Sequence, residues 1–406
     1  MLLLDVSHTS HTRAQTGVQR VVRAMTAALS AKVPVMPLSF DPHQDAWRKL
    51  QPWENEILTD TAGAGSAHRS AQWPLSVRLN GYARRLINAK TPCPVGDALI
   101  VPEIFSAKIA RAYPALFANV RGPRVAVFHD AIALKLPEFT PAKTVARFPA
   151  YLCELLAFDG VAAVSEDSRQ SLLDYWRWLG VPNPPPVVTI ANAVEIPASL
   201  PAPNPPPSLA NANAPANSPA ATNALPVILS VGSLEGRKNH VALLDACGQL
   251  WKRGLRFELR LIGLAHPQTG RAALDKIRAL QAAAYPLRYD GPVDDATLAA
   301  AYGGSTFTVY PSLLEGFGLP VQESLAHGKP CICSAHGAIG ESARDGGCLA
   351  LETVDAPQLA TAISTWLNQP AALETARQAA LRRTFRTWSN QADELLTWLR
   401  DLPRRG

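Results

Sequence analysis

The feature that most constrains this chain is an interrupted alternation. Short apolar, β-rich runs alternate with helix-like segments up to about residue 196, stop, and resume at 227. The interruption, residues 197–226, reads PASLPAPNPPPSLANANAPANSPAATNALP. Such a Pro/Ala/Asn-rich stretch buries too little apolar surface to offset the entropy of ordering, and is expected to be a partly extended linker. Before it, MLLLDV, VPVMPLSF, DALIVPEI, RVAVFHD, GVAAVSE and VVTIANAV alternate with helical patterns. After it, PVILSVGSL, FELRLIG, PLRYDG, FTVYPS, PCICSA and CLALE do the same. Short buried strands separated by helices are βαβ units, and they build parallel sheets. The expected fold class is α/β, with two doubly wound domains at residues 1–196 and 227–385. The length, 406 residues, exceeds one comfortable hydrophobic core and agrees with two. The tail, 386–406, contains the amphipathic TWSNQADELLTWLRDL and can pack back on the N-terminal domain. Ligands of such sheets bind outside the carboxyl ends of the strands, so a cleft between the domains is the expected site.

Composition narrows the class. The chain is 47% apolar and 18% charged, with no apolar run long enough to span a bilayer. MLLLDVSHTSHTR lacks the basic region and cleavage site of a signal peptide and reads as a first strand. The six cysteines form no CxxC pair and read as free thiols of a reducing, cytoplasmic compartment. Net charge is +6, part of it local: Thr61 to Lys90 holds Arg69, Arg78, Arg84, Arg85 and Lys90 but no acid. Within that stretch Leu75, Leu79, Tyr82 and Leu86 fall at helical spacing. Residues 69–90 therefore form a basic amphipathic segment, suited either to an anionic membrane surface at the inner face of the cytoplasmic membrane or to covering a domain. No aromatic-interleaved basic stripe points to nucleic acid.

The chemistry sits at strand ends. In SVGSLEGRKNH a strand runs into a glycine turn, then Arg237 and Lys238, then a helix whose expected cap is Asn239. Turn backbone, helix N-terminus and two cations make a diphosphate site, though the Walker spacing is absent. In RYDGPVDDATLAAAY the backbone at Pro292 and Val293 is placed to read a nucleobase. Asp294 and Asp295 are explained by helix capping rather than by a metal. In SLLEGFGLPVQESLAHGKPC, Pro320 suits a helix start. That puts Glu315 in the loop, Glu323 in the first turn, and the N–H groups of Phe317, Gly318 and Leu319 toward an anion. At the N-terminus Gly17 opens a helix capped by Thr16, without a dinucleotide fingerprint. His8 and His11 read as polar loop residues, since two histidines lack a third metal ligand. His129, beside Asp130 at a strand end, is either a structural histidine or a group that positions or deprotonates an acceptor hydroxyl. Ser165 or Asp167 caps the helix after the next strand.

Taken together, VGSLEGRKNH, YDGPVDDATLAAAY and above all EGFGLPVQESLAHGKP resemble retaining nucleotide-sugar glycosyltransferases of family 4, which have the GT-B fold of two Rossmann-like domains. The last stretch is similar to that family's E-x7-E motif. The resemblance covers about Val227 to Leu367. TGVQR, FHD and VAAVSEDS extend it more weakly to the N-terminal half, toward the mannosyltransferase-like and rhamnosyltransferase-like branch of bacterial surface polysaccharide synthesis. The resemblance implies that Arg237 and Lys238 bind the donor diphosphate and Glu323 the ribose. Glu315 would face the sugar near its anomeric carbon, with His129 by the sugar and acceptor. The backbone from Phe317 to Leu319 would hold phosphate and sugar, the backbone near Val293 the base, and Gly17 would close over the diphosphate. It also implies no metal or other cofactor, a nucleotide sugar as donor and a glycan or lipid-linked glycan as acceptor. Alternatives are a noncatalytic nucleotide-sugar-binding subunit, or another GT-B enzyme such as a sugar phosphorylase. A nicotinamide oxidoreductase is disfavoured by the missing fingerprint.

Overall fold

The computed structural model describes residues 1–14, 16–60, 72–87, 91–195 and 225–404. All but the last two residues of the expected linker lie outside these. The chain divides into two units, Met1–Ala193 with Arg386–Gly406, and Val194–Phe385.

The first unit holds β1 (Leu2–Asp5), β2 (Val35–Asp41), β3 (Ala46–Lys49), β4 (Ala98–Val101), β5 (Arg124–Phe128), β6 (Gly160–Ala163) and β7 (Val187–Thr189). Their order in the sheet is β3-β2-β1-β4-β5-β6-β7. Apart from the antiparallel β2–β3 pair, the strands run parallel. Leu3, Leu4, Leu99, Ile100, Val125 and Val161 are fully buried, as strands covered on both faces require. β3 has no counterpart among the expected strands. Its sequence, AWRK, is short and half polar, because an antiparallel edge needs only alternate residues to face the core. Trp47 supplies that contact, meeting Phe40 and Tyr113.

The second unit holds β8 (Val227–Val231), β9 (Glu258–Ile262), β10 (Leu287–Tyr289), β11 (Phe307–Tyr310), β12 (Cys331–Ser334) and β13 (Cys348–Leu351). All pair parallel in the order β10-β9-β8-β11-β12-β13. One face is covered by helices His240–Lys252 and Ala356–Asn368, which bury Leu243, Leu244, Leu250, Leu359, Ile363 and Trp366. The order reverses between β8 and β11. Loops leaving these two strands turn to opposite faces and part, which opens a crevice at their carboxyl ends. In the first unit the same reversal falls between β1 and β4.

Helix Trp388–Asp401 packs on helix Gly17–Ser30 within the first unit. It buries Ala392, Leu395 and Leu399, Lys32 pairs with Asp393 at 2.9 Å, and Gln391 donates to Asn192 at 3.1 Å.

In the second unit the turns after β8 and β9 meet backbone to backbone. Gly263 has φ +144°, and a Cβ there would lie 2.0 Å from the Gly232 carbonyl oxygen. The neighbouring main chain cannot yield as a side chain would. Gly263→Ala is therefore expected to cost at least about 2 kcal/mol, read as a lowered urea midpoint of the full chain.

Candidate active site

A cluster of charged side chains sits at the reversal between β8 and β11. β8 ends at Gly232, and the chain enters a short 3-10 turn, Gly236–Lys238. β11 ends at Tyr310 and gives the loop to Glu315. Backbone bonds fasten the two loops: Leu313 N–H donates to the Arg237 carbonyl at 2.9 Å. Against this frame, Glu315 Oε1 lies 2.6 Å from Lys238 Nζ and 2.7 Å from Arg237 Nη1. Ser312 Oγ donates to the same oxygen. Lys238 Nζ also donates to the Tyr310 hydroxyl and stands 4.9 Å from the centre of its ring. Arg237 Nε lies 3.4 Å from Glu235.

Glu315 and Lys238 are each only 8% exposed. An isolated carboxylate at that depth would take up a proton. Burial does push the Glu315 carboxyl upward, but Arg237, then Lys238, with hydrogen bonds from Lys238 and Ser312, outweigh it and hold it at about 2. Burial moves Lys238 the other way, below the ordinary lysine range, against the pull of Glu315. His240 stays neutral, held at about 3 by burial and by the charge of Lys238. The compensation of Glu315 thus rests on Arg237 and Lys238. The contacts described engage Nη1 and Nε of Arg237, and a guanidinium has two further donors on Nη2.

Downstream, Gly318, at φ +87°, is the N-cap of helix Leu319–Ala326. First-turn N–H groups of a helix have no intrahelical acceptor, so this end favours negative charge. Phe317 is fixed by its carbonyl, which accepts from Ser342 Oγ at 3.2 Å. The helix begins at Leu319, not Pro320, which shifts Glu323 just beyond the first turn. Glu323 is buried and accepts from the Tyr302 hydroxyl at 3.1 Å. Val293 packs on the cluster that contains Tyr302, so Tyr302 links the two. Asp294 caps helix Asp295–Gly304, accepting from Thr297 N–H at 2.7 Å. Asn239 is an N-cap by position only. It adopts φ +57°, and its side chain turns away to donate to the Val354 carbonyl.

Arg237, Lys238 and Glu315 are thus brought into contact, with Phe317 and Gly318 on the loop of Glu315 and Leu319 opening the helix that follows. Gly17 and His129 belong to the first unit. Gly17 opens helix Gly17–Ser30, but Thr16 does not cap with its side chain: its hydroxyl donates to Gln19. His129 is buried, and its Nε2 lies 2.7 Å from the Pro102 carbonyl. A carbonyl accepts only, so Nε2 carries the proton, and burial lowers the imidazole pKa. Nδ1 is then left as an acceptor. Ser165, rather than Asp167, caps the next helix by accepting from Ser168 N–H.

Sequence reasoning missed a second buried cluster, at the reversal between β1 and β4. Glu103 accepts from Thr9 N–H at 3.0 Å, from Thr9 Oγ1 at 2.6 Å and from His8 N–H. Asp5 accepts from Ser7 N–H and Oγ and from the Tyr113 hydroxyl at 2.8 Å. Burial, then the charge of Glu103, raises Asp5 to about 7. His11 is no surface loop residue. It is fully buried, with Nε2 2.6 Å from Glu54, which also takes both terminal nitrogens of Arg48. The available signal was positional: Asp5 ends the first strand run, and Glu103 closely follows another.

A model of the family Glycosyl transferases group 1 matches residues 216–383. The second unit is a glycosyl transferases group 1 domain. Glu315, Arg237 and Lys238 all lie in that domain. Over 97% of its length the chain is 27% identical to the serotype-specific mannosyltransferase WbdA of Escherichia coli, of which it spans 46%. The O-antigen chain mannosyltransferase B of the same organism is 32% identical over 40% of this chain and 42% of that protein. The chain thus spans about half the length of these relatives. Among solved structures, sucrose-phosphate synthase from Thermosynechococcus elongatus aligns over 99% of this chain and 98% of its own, with TM-score 0.65 and 20% identity. Anabaena HepE in complex with UDP-glucose aligns over 98% and 99%, with TM-score 0.64 and 15% identity. The shared fold is GT-B, two α/β units each built on a parallel sheet.

Within the glycosyl transferases group 1 domain, the depressed Glu315 carboxyl predicts a pH signature. Its stabilising effect is complete above the unfolded-state range near pH 4.3 and is lost as pH falls toward about 2. Glu315→Gln should lower stability at pH 7 by about 3 kcal/mol. In urea melts of both proteins, that gap is expected to narrow steadily below about pH 4.5.

Proposed function

We propose that this chain is a retaining, metal-independent glycosyltransferase. It would move a hexose or deoxyhexose, with GDP-mannose the favoured donor, from a nucleotide-diphosphate sugar to a glycan or lipid-linked glycan acceptor in bacterial surface polysaccharide synthesis. The observation that carries the reading is the pair Arg237 and Lys238, fixed on Glu315 at the β8/β11 reversal. A buried lysine and a half-buried arginine at a sheet's ligand edge, near a helix N-terminus, match a diphosphate in charge and geometry. The names of the relatives, a serotype-specific mannosyltransferase and an O-antigen chain mannosyltransferase, support the sugar and the process. The UDP-glucose bound to HepE supports the donor class.

On this reading Arg237 and Lys238 hold the diphosphate, with the backbone N–H groups of Phe317, Gly318 and Leu319 beside it. Glu323 accepts from the ribose hydroxyls, and the backbone at Val293 meets the base. Glu315 cannot deliver a proton near neutral pH, because its pKa is held at about 2. Its role is to accept hydroxyl hydrogen bonds from the sugar and to stabilise positive charge that develops at the anomeric carbon. The acceptor oxygen bonds to that carbon on the face from which the phosphate departs, so configuration is retained. The C–O bond to the phosphate breaks, and the acceptor proton passes to the leaving phosphate oxygen. Arg237 and Lys238 stabilise the charge left on the diphosphate. In the first unit, His129 accepts an acceptor hydroxyl at Nδ1 and fixes its direction, and Gly17 lets a helix N-terminus approach an anionic group without a side chain.

Arg237→Ala and Lys238→Ala should each weaken nucleotide-sugar binding about tenfold to a hundredfold by calorimetry. Glu315→Ala should cut transfer at least about a hundredfold while leaving binding measurable. A thermal-shift panel of GDP-mannose, UDP-sugars and dTDP-rhamnose, with product detection for each hit, is expected to select GDP-mannose. Transfer should persist in EDTA. Full activity of a Glu315→Ala/Lys238→Ala variant, or loss of transfer on chelation, would overturn the corresponding part of the proposal.

A further inference from the structure

Helix Leu75–Leu86 is mounted the wrong way round for a helix that covers a domain. Its buried side is Gly81, flanked by the half-buried Val77 and Arg84. Gly81 sits against His43, where a Cβ would lie 2.7 Å from the His43 Cβ. At about 100° per residue these three positions share one side, and Leu75, Leu79, Tyr82 and Leu86 fall on the opposite side. The structure bears this out for the leucines: Leu75 is 70%, Leu79 68% and Leu86 85% exposed, with Ile87 following at 76%, whereas the ring of Tyr82 turns back to meet His43 edge to face, 5.1 Å between centres. An amphipathic surface helix normally turns its leucines inward. Here the small residue faces the protein and the leucines face out.

The charges around the stripe restrict what can cover it. The helix contains no acid, and Arg78 and Arg85 flank the leucines. The whole interval between Asp60 and Asp97 is free of Asp and Glu. Beside the helix lies a cavity of about 630 Å³ whose lining includes Arg85, Lys108 and Arg111. Its one acid, Asp45, stands 4.0 Å from Arg85. No helix among the described residues is long and apolar enough to cross a membrane.

We propose that this face docks on the surface of an anionic lipid bilayer. Leu75, Leu79 and Leu86 enter the boundary between headgroups and acyl chains, and the cavity at Arg85, Lys108 and Arg111 receives an anionic headgroup. A helix of this length is about 18 Å long, enough to lie in that plane but not to span it. A second copy is a poor occupant, because two-fold pairing of the same stripe adds a second Arg78 and Arg85 but no acid from this segment. Anionic headgroups neutralise those same arginines. The proposal stands on the first unit alone and does not depend on the donor reading of the second.

The test is co-sedimentation of the full chain with vesicles of equal parts phosphatidylcholine and phosphatidylglycerol, against pure phosphatidylcholine. The chain is expected to partition at least about tenfold better onto the anionic vesicles. Leu79→Ser/Leu86→Ser should remove at least about tenfold of that binding, with melting temperature and light-scattering mass unchanged. Lys108→Glu/Arg111→Glu should abolish the preference for phosphatidylglycerol. Equal partition onto both vesicle types, or undiminished binding of the leucine variant, would overturn the proposal. So would a dimer of the unaltered chain that Leu79→Ser/Leu86→Ser dissolves, which would make the occupant a second copy.

Discussion

Glu315 is the contact on which the ligand edge of the second unit depends. One carboxylate oxygen is shared by Lys238 and Arg237, which arrive on the loop after β8, while Glu315 arrives on the loop after β11. The contact therefore ties together the two strands between which the sheet order reverses. A crevice at that place is a consequence of topology alone, but its contents are not. Without Glu315, the buried Lys238 and the half-buried Arg237 would face each other, with Glu235 left as a counter-charge to Arg237. Without the cations, the carboxylate would be protonated. The cluster keeps both signs of charge in a buried place and holds them in fixed directions before any ligand arrives, which lowers the cost of ordering them on binding.

The two sheets place buried acids at equivalent positions and treat them in opposite ways. At the β8/β11 reversal cations hold Glu315 ionised. At the β1/β4 reversal burial pushes both the Asp5 and the Glu103 carboxyls upward, and the charge of Glu103 adds to the rise of Asp5. Their hydrogen bonds come from hydroxyls and backbone N–H groups instead of cations. The first unit thus stiffens the chain around residues 7–9 with carboxyls held by hydroxyls and backbone N–H groups, while the second presents a fixed array of charge. This division follows from local sequence: Arg-Lys follows the β8 turn, whereas Ser-His-Thr-Ser-His follows β1.

Much of this was legible in the sequence, for identifiable reasons. Strands buried on both faces must be nearly continuous apolar runs, so the parallel strands of both sheets stood out. β3 did not, because an antiparallel edge strand can be short and half polar. The convergence of Arg237, Lys238 and Glu315 was inferred as a shared site, but not as a mutual ion cluster, since sequence spacing says nothing about contacts across 77 residues. Glu323 was displaced by a single residue in the helix start, within the usual uncertainty of helix ends. Asn239 looked like a capping side chain, but its left-handed backbone turns that side chain toward Val354. Asp5, Glu103 and His11 were hidden because each depends on partners distant in sequence: Tyr113, Thr9 and Glu54.

The closing helix, Trp388–Asp401, has a consequence for how the protein is made. It belongs to the unit that begins at Met1, although the whole second unit intervenes in the chain. At ribosomal speeds the intervening stretch of about 190 residues takes about 10 to 40 s to synthesise. During that interval the surface of helix Gly17–Ser30 that will receive helix Trp388–Asp401 remains without its cover. The second unit, contiguous in sequence, can close first. Of the two units, the one whose synthesis starts first is thus the last to be sealed.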